Sequence, residues 1–307
     1  MPLTYGEFDN TSPRWSPDGR KIAFISNREG NTSLHIVDVL DGKQIRLEQQ
    51  SRAFINAHVS FRLIIRDDSG KLLPAQVSIT DTRGKAFSPF NARIHGDDSR
   101  YPSVEKFERH YFHTAGKETM IVPSGTLTFR VSHGPSFEIK KINADTRSQD
   151  SVVIMLKRLP IPTGAGMWWS GDVHTHMNYT GHYLNRPSDL MKMAKAEDLN
   201  LVYNLIVNKE QRIPDLPYFS GQPDGVSDHE TVVLHSQEFH TIVWGHLGLL
   251  GMRDHFILPD YSGYPRTAAE SLFPHNAFIA DRAHNQRGLV GYVHPFEPAE
   301  IFPDQSE

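Results

Sequence analysis

Through the first half of the chain apolar positions alternate with polar ones, and beyond it the period lengthens. Residues 12–47 hold four short apolar runs separated by Pro17-Asp18-Gly19, residues 27–31 and Asp41-Gly42. Turn punctuation of that kind predicts a four-stranded antiparallel meander. Strand alternation continues through residues 57–159 in HVSFRLIIRD, QVSITD, TLTFRVSH, FEIKKI and SVVIMLKRL, with Asp68-Ser69-Gly70 and Arg83-Gly84 at turns. That spacing predicts a small antiparallel β-sandwich, with residues 101–113 as a loop.

After Pro160-Ile161-Pro162-Thr163-Gly164, which reads as a linker, the pattern changes. Residues 168–174 read as a strand. Residues 187–199 read as a helix, with Pro187 at its start, Ser188 as its cap and Leu190, Met193 and Ala194 on one face. LVYNLIV and TVVLHSQEF are buried strands, and residues 268–286 form a second helix that Gly288 stops, followed by the strand LVGYVHP. Strands alternating with helices predict a parallel α/β unit. The expected organisation is therefore multidomain: residues 1–50, 56–159 and 167–307.

Composition narrows the partners. With 38% hydrophobic and 22% charged residues, a net charge of −4 and no block of like charges, the chain has no electrostatic footprint for nucleic acid. It holds no eighteen-residue apolar stretch, so no membrane insertion is expected. The first thirty residues lack a basic start and apolar run, so no signal peptide is expected in this chain. Cysteine is absent, which removes disulfides and thiolate metal sites and leaves His and carboxylates as transition-metal ligands. Of 17 histidines, 6 precede residue 167 and 11 follow it, which places the candidate chemistry in the second half.

There, Gly171-Asp172-Val173-His174-Thr175-His176 ends a predicted strand with two histidines at i and i+2, on one side of the sheet. Two imidazoles so placed can share a metal; the motif by itself reads equally as a pair of partly exposed strand-end histidines. Further candidates stand at the ends of other predicted strands: Glu238, His246 and His294. His182, in the loop NYTGHY, is either another ligand or a surface residue. Asp172 and His229 could orient ligands or shuttle protons, and both also have ordinary structural readings. Glu230, in Asp228-His229-Glu230, lacks the second histidine of a zinc-binding helix motif. His235 and His240 flank Glu238 on undetermined faces and read as structural. Trp168, Trp169 and Phe256 read as core or pocket lining. Without cysteine or a G-x-S-x-G elbow, the covalent esterase routes lack their signature.

Three resemblances rest on these residues. The SPDG turn, the following IAF strand and the VDVLDGK hairpin resemble one blade of a Tol-type β-propeller. No second copy follows, so the blade is expected to be the last of a longer parent. DDSGK, LPAQVSITD and PSGTLTFRVSHG are similar to carboxypeptidase-regulatory or transthyretin-like modules. GDVHTHMNYTGHY, LIVNKEQRIPD, the SQEF and GHLGLLG pair and VHPF resemble the polymerase and histidinol phosphatase (PHP) superfamily, in its carbaryl-hydrolase-like branch, over residues 57–307.

The PHP resemblance implies an irregular (β/α)7 barrel holding two or three zinc, manganese or iron ions. His174 and His176 would bind one metal and Glu238 would bridge two. His246 and His294 would complete the neighbouring site, and His182 would serve a further metal. Asn208-Lys209-Glu210 stands where many members have Asp-His, which makes Asn208 and Lys209 candidate ligands or substrate contacts. The family's closing Asp-x-His is absent, and the 140 residues of 168–307 fall short of the roughly 200 of a complete barrel. The barrel is thus expected to be incomplete and the chain cut at both ends.

The implied activity is hydrolysis of an ester, amide or carbamate in a small-molecule substrate by a metal-bound hydroxide, with Asp172, Glu238 and His246 in catalytic roles. Phosphoester hydrolysis and a non-catalytic, β-rich interaction module stay open. The resemblance fits a periplasmic or secreted parent, and oligomeric state is not indicated.

Overall fold

The computed structural model describes residues 3–96, 110–160, 166–179, 182–208, 213–240, 244–256, 266 and 273–294. The chain divides into two compact units. The first is Met1–Asp172 with Gly181–Val202 and Val226–Val232, and the second is Val173–Thr180 with Tyr203–Gly225 and Val233–Glu307.

The first unit opens with a meander of β1 (Asn10–Trp15), β2 (Lys21–Glu29), β3 (Asn31–Asp38) and β4 (Gln44–Leu47), paired in that order and antiparallel throughout. Gly19 and Gly42 take φ of 68° and 71° at two of its turns, a region that favours glycine. The meander buries little: Phe24 and Val37 are inside, whereas Trp15, Leu34, Leu40, Ile45 and Leu47 are exposed.

Next come β5 (His58–Asp67), β6 (Ala75–Asp81), β7 (Ala86–Phe87), β8 (Phe112–Thr114), β9 (Lys117–Pro123), β10 (Thr126–Ser132), β11 (Lys140–Asp145) and β12 (Ser151–Leu156). They form two sheets, one ordered β11-β10-β6-β7 with β8 also on β6, the other ordered β12-β5-β9. Strict alternation sends Phe61, Leu63 and Ile65 of β5, Val77 and Ile79 of β6, and Leu127, Phe129 and Val131 of β10 into one core. Phe61 and Phe129 stack there with ring centroids 5.7 Å apart. One feature departs from the antiparallel expectation. β12 runs parallel to β5, with Ser151 opposite Arg62. Such a pair needs a long crossover, and here the rest of the sandwich supplies it.

The helix α1 (Pro187–Ala196) also belongs to this unit. Arg186, not Ser188, is its N-cap, and the Arg186 N–H donates to the Asp189 carboxylate at 3.0 Å. Its last turn meets the sandwich: His133 Nδ1 lies 3.2 Å from the Ala196 carbonyl, and His113 Nε2 lies 2.8 Å from Glu197 Oε1. A Cβ on Gly134, whose φ is 58°, would come within 2.2 Å of the Glu197 carbonyl oxygen, so only glycine allows this approach.

His95 is half-buried beside this contact, stacked on Tyr111 at 5.5 Å and 5.4 Å from His113. Burial, with the nearby His113 and Arg93 charges, pushes its pKa down to about 4, against an opposing pull from Glu197. An unfolded imidazole titrates near 6.5, so between those values the unfolded chain takes up a proton that the folded chain refuses. The full stability is present above pH 6.5 and declines as pH falls toward 4. Allowing for partial exposure, the loss should be about 1–2 kcal/mol. Urea unfolding at neutral pH and near pH 4.5 checks this: His95→Gln should lose less stability on acidification than the unaltered chain by that amount.

The second unit rests on a five-stranded sheet ordered β13 (Gly171–Thr175), β14 (Leu201–Val207), β15 (Val232–Phe239), β16 (Leu247–Leu250) and β17 (Leu289–Tyr292). The helix α2 (Asn276–His284) covers one part of it, with Ile279 and Ala283 packed on Phe239, Leu247, Leu249, Met252 and Phe256. Phe256 is therefore core, as read from sequence, whereas Trp168 and Trp169 are exposed. The predicted helix shortens to Asn276–His284, and residues 268–272 lie outside the described residues.

This architecture overturns the incomplete (β/α)7 barrel. Strand accounts for 41% and helix for 9%, with two α-helices and four sheets among the described residues. A barrel needs parallel strands joined by crossover helices, but β16 pairs antiparallel with β15 on one side and with β17 on the other. The cause is the length of one connection. Only residues 240–246 separate β15 from β16, too few for the dozen or more of a parallel crossover, so the chain turns straight back.

Candidate metal centre

Glu238 sits near the end of β15, 0% exposed, in a strand whose Ser236 and Gln237 are buried too. A buried carboxylate is expensive unless charge or hydrogen bonds meet it. Here imidazoles meet it from several elements. Oε2 lies 3.0 Å from His174 Nε2 on β13 and 2.8 Å from His176 Nε2 just after that strand. Oε1 lies 3.1 Å from His240 Nε2, 3.2 Å from His246 Nδ1 and 3.6 Å from His294 Nε2.

The five residues that the sequence singled out first, His174, His176, Glu238, His246 and His294, are thus brought together. Two ligand groups share Glu238, one with His174 and His294 and one with His240 and His246; the atoms of each lie within 4.8 Å of one another.

The local geometry explains the gathering. His174 and His176 are two residues apart, and their Nε2 atoms approach to 3.2 Å. His176 Nδ1 lies 2.8 Å from the Leu205 carbonyl, a bond that puts the proton on Nδ1 and leaves Nε2 for the centre. Glu238 and His240 are also two residues apart, and the His240 ring stacks on that of His246 at 3.8 Å. Asn208 clamps the backbone of His240, its Oδ1 accepting from the His240 N–H at 2.8 Å. Asn276 Nδ2 donates to the Trp244 and Gly245 carbonyls at 2.8 and 3.1 Å and so fixes the turn that delivers His246. His294 adopts φ of 56°, a strained conformation for a non-glycine residue and one that concentrates at functional sites.

The surrounding imidazoles keep the buried carboxylate ionised. Burial raises the Glu238 carboxyl, but the His176, His240 and His246 imidazoles outweigh it and hold the group far below the usual carboxylate range. Burial lowers His176, and its bonds to Glu238 and the Leu205 carbonyl more than reverse this, leaving it raised.

The donor set fits a metal. Glu238 Oε1 and His246 Nδ1 are buried polar atoms that face each other without a hydrogen bond, which is the arrangement two ligands of one cation take. The edges of 2.8, 3.0 and 3.2 Å between Glu238 Oε2, His174 Nε2 and His176 Nε2 come close to the span of about 3.3 Å between tetrahedral ligands at zinc distances.

The remaining candidates stand elsewhere. His182 is exposed and belongs to neither ligand group. Asp172 is half-buried on β13 and likewise outside both groups. Asn208 acts on the His240 backbone, and Lys209 lies outside the described residues. His229 is 88% exposed and 3.8 Å from Glu230. His240 is the residue that sequence reasoning missed. The rule that paired His174 with His176 would have paired Glu238 with His240.

No family model matches the chain. Over 48 residues, 15% of this chain, it is 50% identical to a protein named "Uncharacterized peptidase YuxL" in Bacillus subtilis strain 168, a stretch that spans 7% of that protein's length.

Proposed function

We propose that this chain is a metal-dependent hydrolase whose centre is organised by Glu238. The observation that carries the proposal is the fully buried Glu238 carboxylate ringed by five imidazoles, with Oε1 left without a hydrogen bond. His174, His176 and His294 would hold one divalent ion with Glu238, and His240 and His246 a second. An imidazole-rich set suits zinc or iron better than magnesium or calcium, and the single carboxylate leaves manganese a weaker third choice. Bound in such a site, a divalent ion lowers the pKa of water toward neutrality and polarises a scissile carbonyl.

The chain's own residues supply the rest. Glu238 offsets the cations with a charge that its neighbours keep ionised, and the Leu205 carbonyl holds His176 in the tautomer that can ligate. The PHP-like motifs imply ligand roles for His174, His176, Glu238, His246 and His294, while the role of His240 and the pairing of His294 with His174 rest on the geometry. The peptidase name of the short match agrees with hydrolysis in general. Carbonyl substrates are favoured over phosphoesters because no Arg or Lys adjoins the His174 and His294 motifs in sequence to clamp a phosphate.

Metal analysis of the full chain, with a panel of aryl acetate, aryl carbamate and aryl phosphate, tests the proposal. About two ions per chain are expected, with ester or carbamate turnover that a chelator removes and zinc or manganese restores. Turnover of phosphate alone would replace the carbonyl preference. Less than one ion per chain and no turnover with added metal would favour a non-catalytic role.

A further inference from the structure

Asn204 stands in the middle of β14, a strand otherwise made of Leu, Val, Tyr and Ile, and is 0% exposed. A primary amide so deeply buried must satisfy its donors and acceptor within the protein. Its Oδ1 accepts from the Met177 backbone N–H at 2.8 Å. Its Nδ2 donates to Asp215 Oδ2 at 3.2 Å and lies 3.1 Å from His235 Nδ1. Asp215 Oδ1 accepts in turn from Asn178 Nδ2 at 2.6 Å, and His235 Nε2 lies 3.0 Å from Asp224 Oδ2. Asp215, His235 and Asn178 are themselves buried.

The network admits one assignment. The Met177 N–H can only donate, so it must face Asn204 Oδ1, and turning the amide over would set donor against donor. With Nδ2 fixed, one of its hydrogens points to Asp215 and the other to His235 Nδ1. His235 must therefore accept at Nδ1 and carry its proton on Nε2, which donates a hydrogen bond to the Asp224 carboxylate. Every member agrees with its neighbours, the condition under which a buried polar network rigidifies its surroundings.

What the network grips is the segment directly after a candidate ligand. Asn204 holds the backbone of Met177, and Asp215 holds both the Asn204 amide and the Asn178 side chain. β14 thus touches the His176 segment twice, since Leu205 also accepts from the His176 ring at 2.8 Å.

We propose that Asn204 is a positioning residue: braced by Asp215 and His235, it fixes the backbone after His176 and keeps that imidazole aimed at Glu238. The inference rests on the metal-centre reading for its effect on affinity, and on the network alone for its effect on the backbone. Outer-shell partners of this kind set metal affinity by about 10–100-fold.

The test uses the full chain with Asn204→Asp, which keeps the shape but cannot donate, and Asp215→Asn, which leaves one of two acceptor oxygens. Zinc affinity is read by competition with a chromophoric chelator, and the ligand field by the visible bands of the cobalt-loaded protein. Backbone order is read by hydrogen exchange of the Met177 amide in metal-free protein. Asn204→Asp should weaken zinc about 10–100-fold, alter the cobalt bands and expose the Met177 amide, with Asp215→Asn intermediate. A purely structural role would lower stability without changing the cobalt bands.

A folded Asn204→Asp that binds zinc within about twofold of the unaltered chain, with unchanged bands, overturns the proposal; if it does not fold, Asp215→Asn carries the same comparison. Should the unaltered chain bind no metal, the metal-centre reading fails, and the positioning claim is decided by the Met177 amide. Lost protection in the variants then supports it, and unchanged protection overturns it.

Discussion

Replacing Glu238 by Gln is expected to empty the centre: metal content should fall from about two ions per chain to essentially none, and turnover by at least about 1000-fold, some 4 kcal/mol of transition-state stabilisation. Glu238 is common to both ligand groups. A neutral amide neither bridges cations nor offsets their charge. The metal-free protein should also lose stability, by about 3 kcal/mol near pH 6, because a buried ion pair broken on one side leaves its partner uncompensated.

The sign with pH follows from His176, whose pKa is raised in the fold. Its contribution is complete below the unfolded value near 6.5 and is lost as pH rises through the folded value. The destabilisation caused by Glu238→Gln should therefore shrink toward alkaline pH. Elemental analysis, substrate turnover and urea unfolding at two pH values measure the three effects. A Gln variant that keeps both metals would remove Glu238 from the centre.

His240→Ala should halve the metal content and lower turnover by at least about 100-fold, beyond what loss of an outer-shell partner causes. The ring stands 3.1 Å from Glu238 Oε1 and stacks on His246, so its removal takes a ligand and loosens a second one. Elemental analysis with kcat/KM separates the outcomes. One ion per chain with residual turnover assigns His240 to one of two sites, whereas full metal content and full turnover would make it a packing residue.

Much of the local structure was legible in the chain. The meander and the sandwich strands follow from apolar alternation broken by Asp-Gly and Ser-Gly turns, because a period of two commits one face to the core wherever a core exists. The gathering of His174, His176, Glu238, His246 and His294 was legible as ligand-type residues recurring at strand ends. His240 was legible too: Glu238-x-His240 has the same spacing as His174-x-His176. Asn204 left a similar trace, an amide inside an otherwise apolar strand.

The connectivity of the sheet was not legible. Alternating strand and helix patterns read as a parallel unit, but residues 240–246 are too few for a crossover, and β16 and β17 pair back antiparallel. Nor could the sequence show that β12 would lie parallel to β5 or that α1 would cluster with the sandwich. The sequence by itself marked most of the strands, their apolar faces and the side chains that can ligate a metal, since these follow from composition and period along a few residues. Residues 101–113 read as a loop, where Phe112–Thr114 pair as β8, and no bounds followed for the strand at Leu247–Leu250. Only the tertiary structure decided which strands are neighbours, that Glu238 lies between two sets of imidazoles, and that Asn204 braces one of them. Those contacts join residues as much as 120 positions apart, for example His174 and His294, whose rings stand 5.0 Å from one another. Pairing at that range depends on the packing of the whole unit and leaves no periodic mark in the chain.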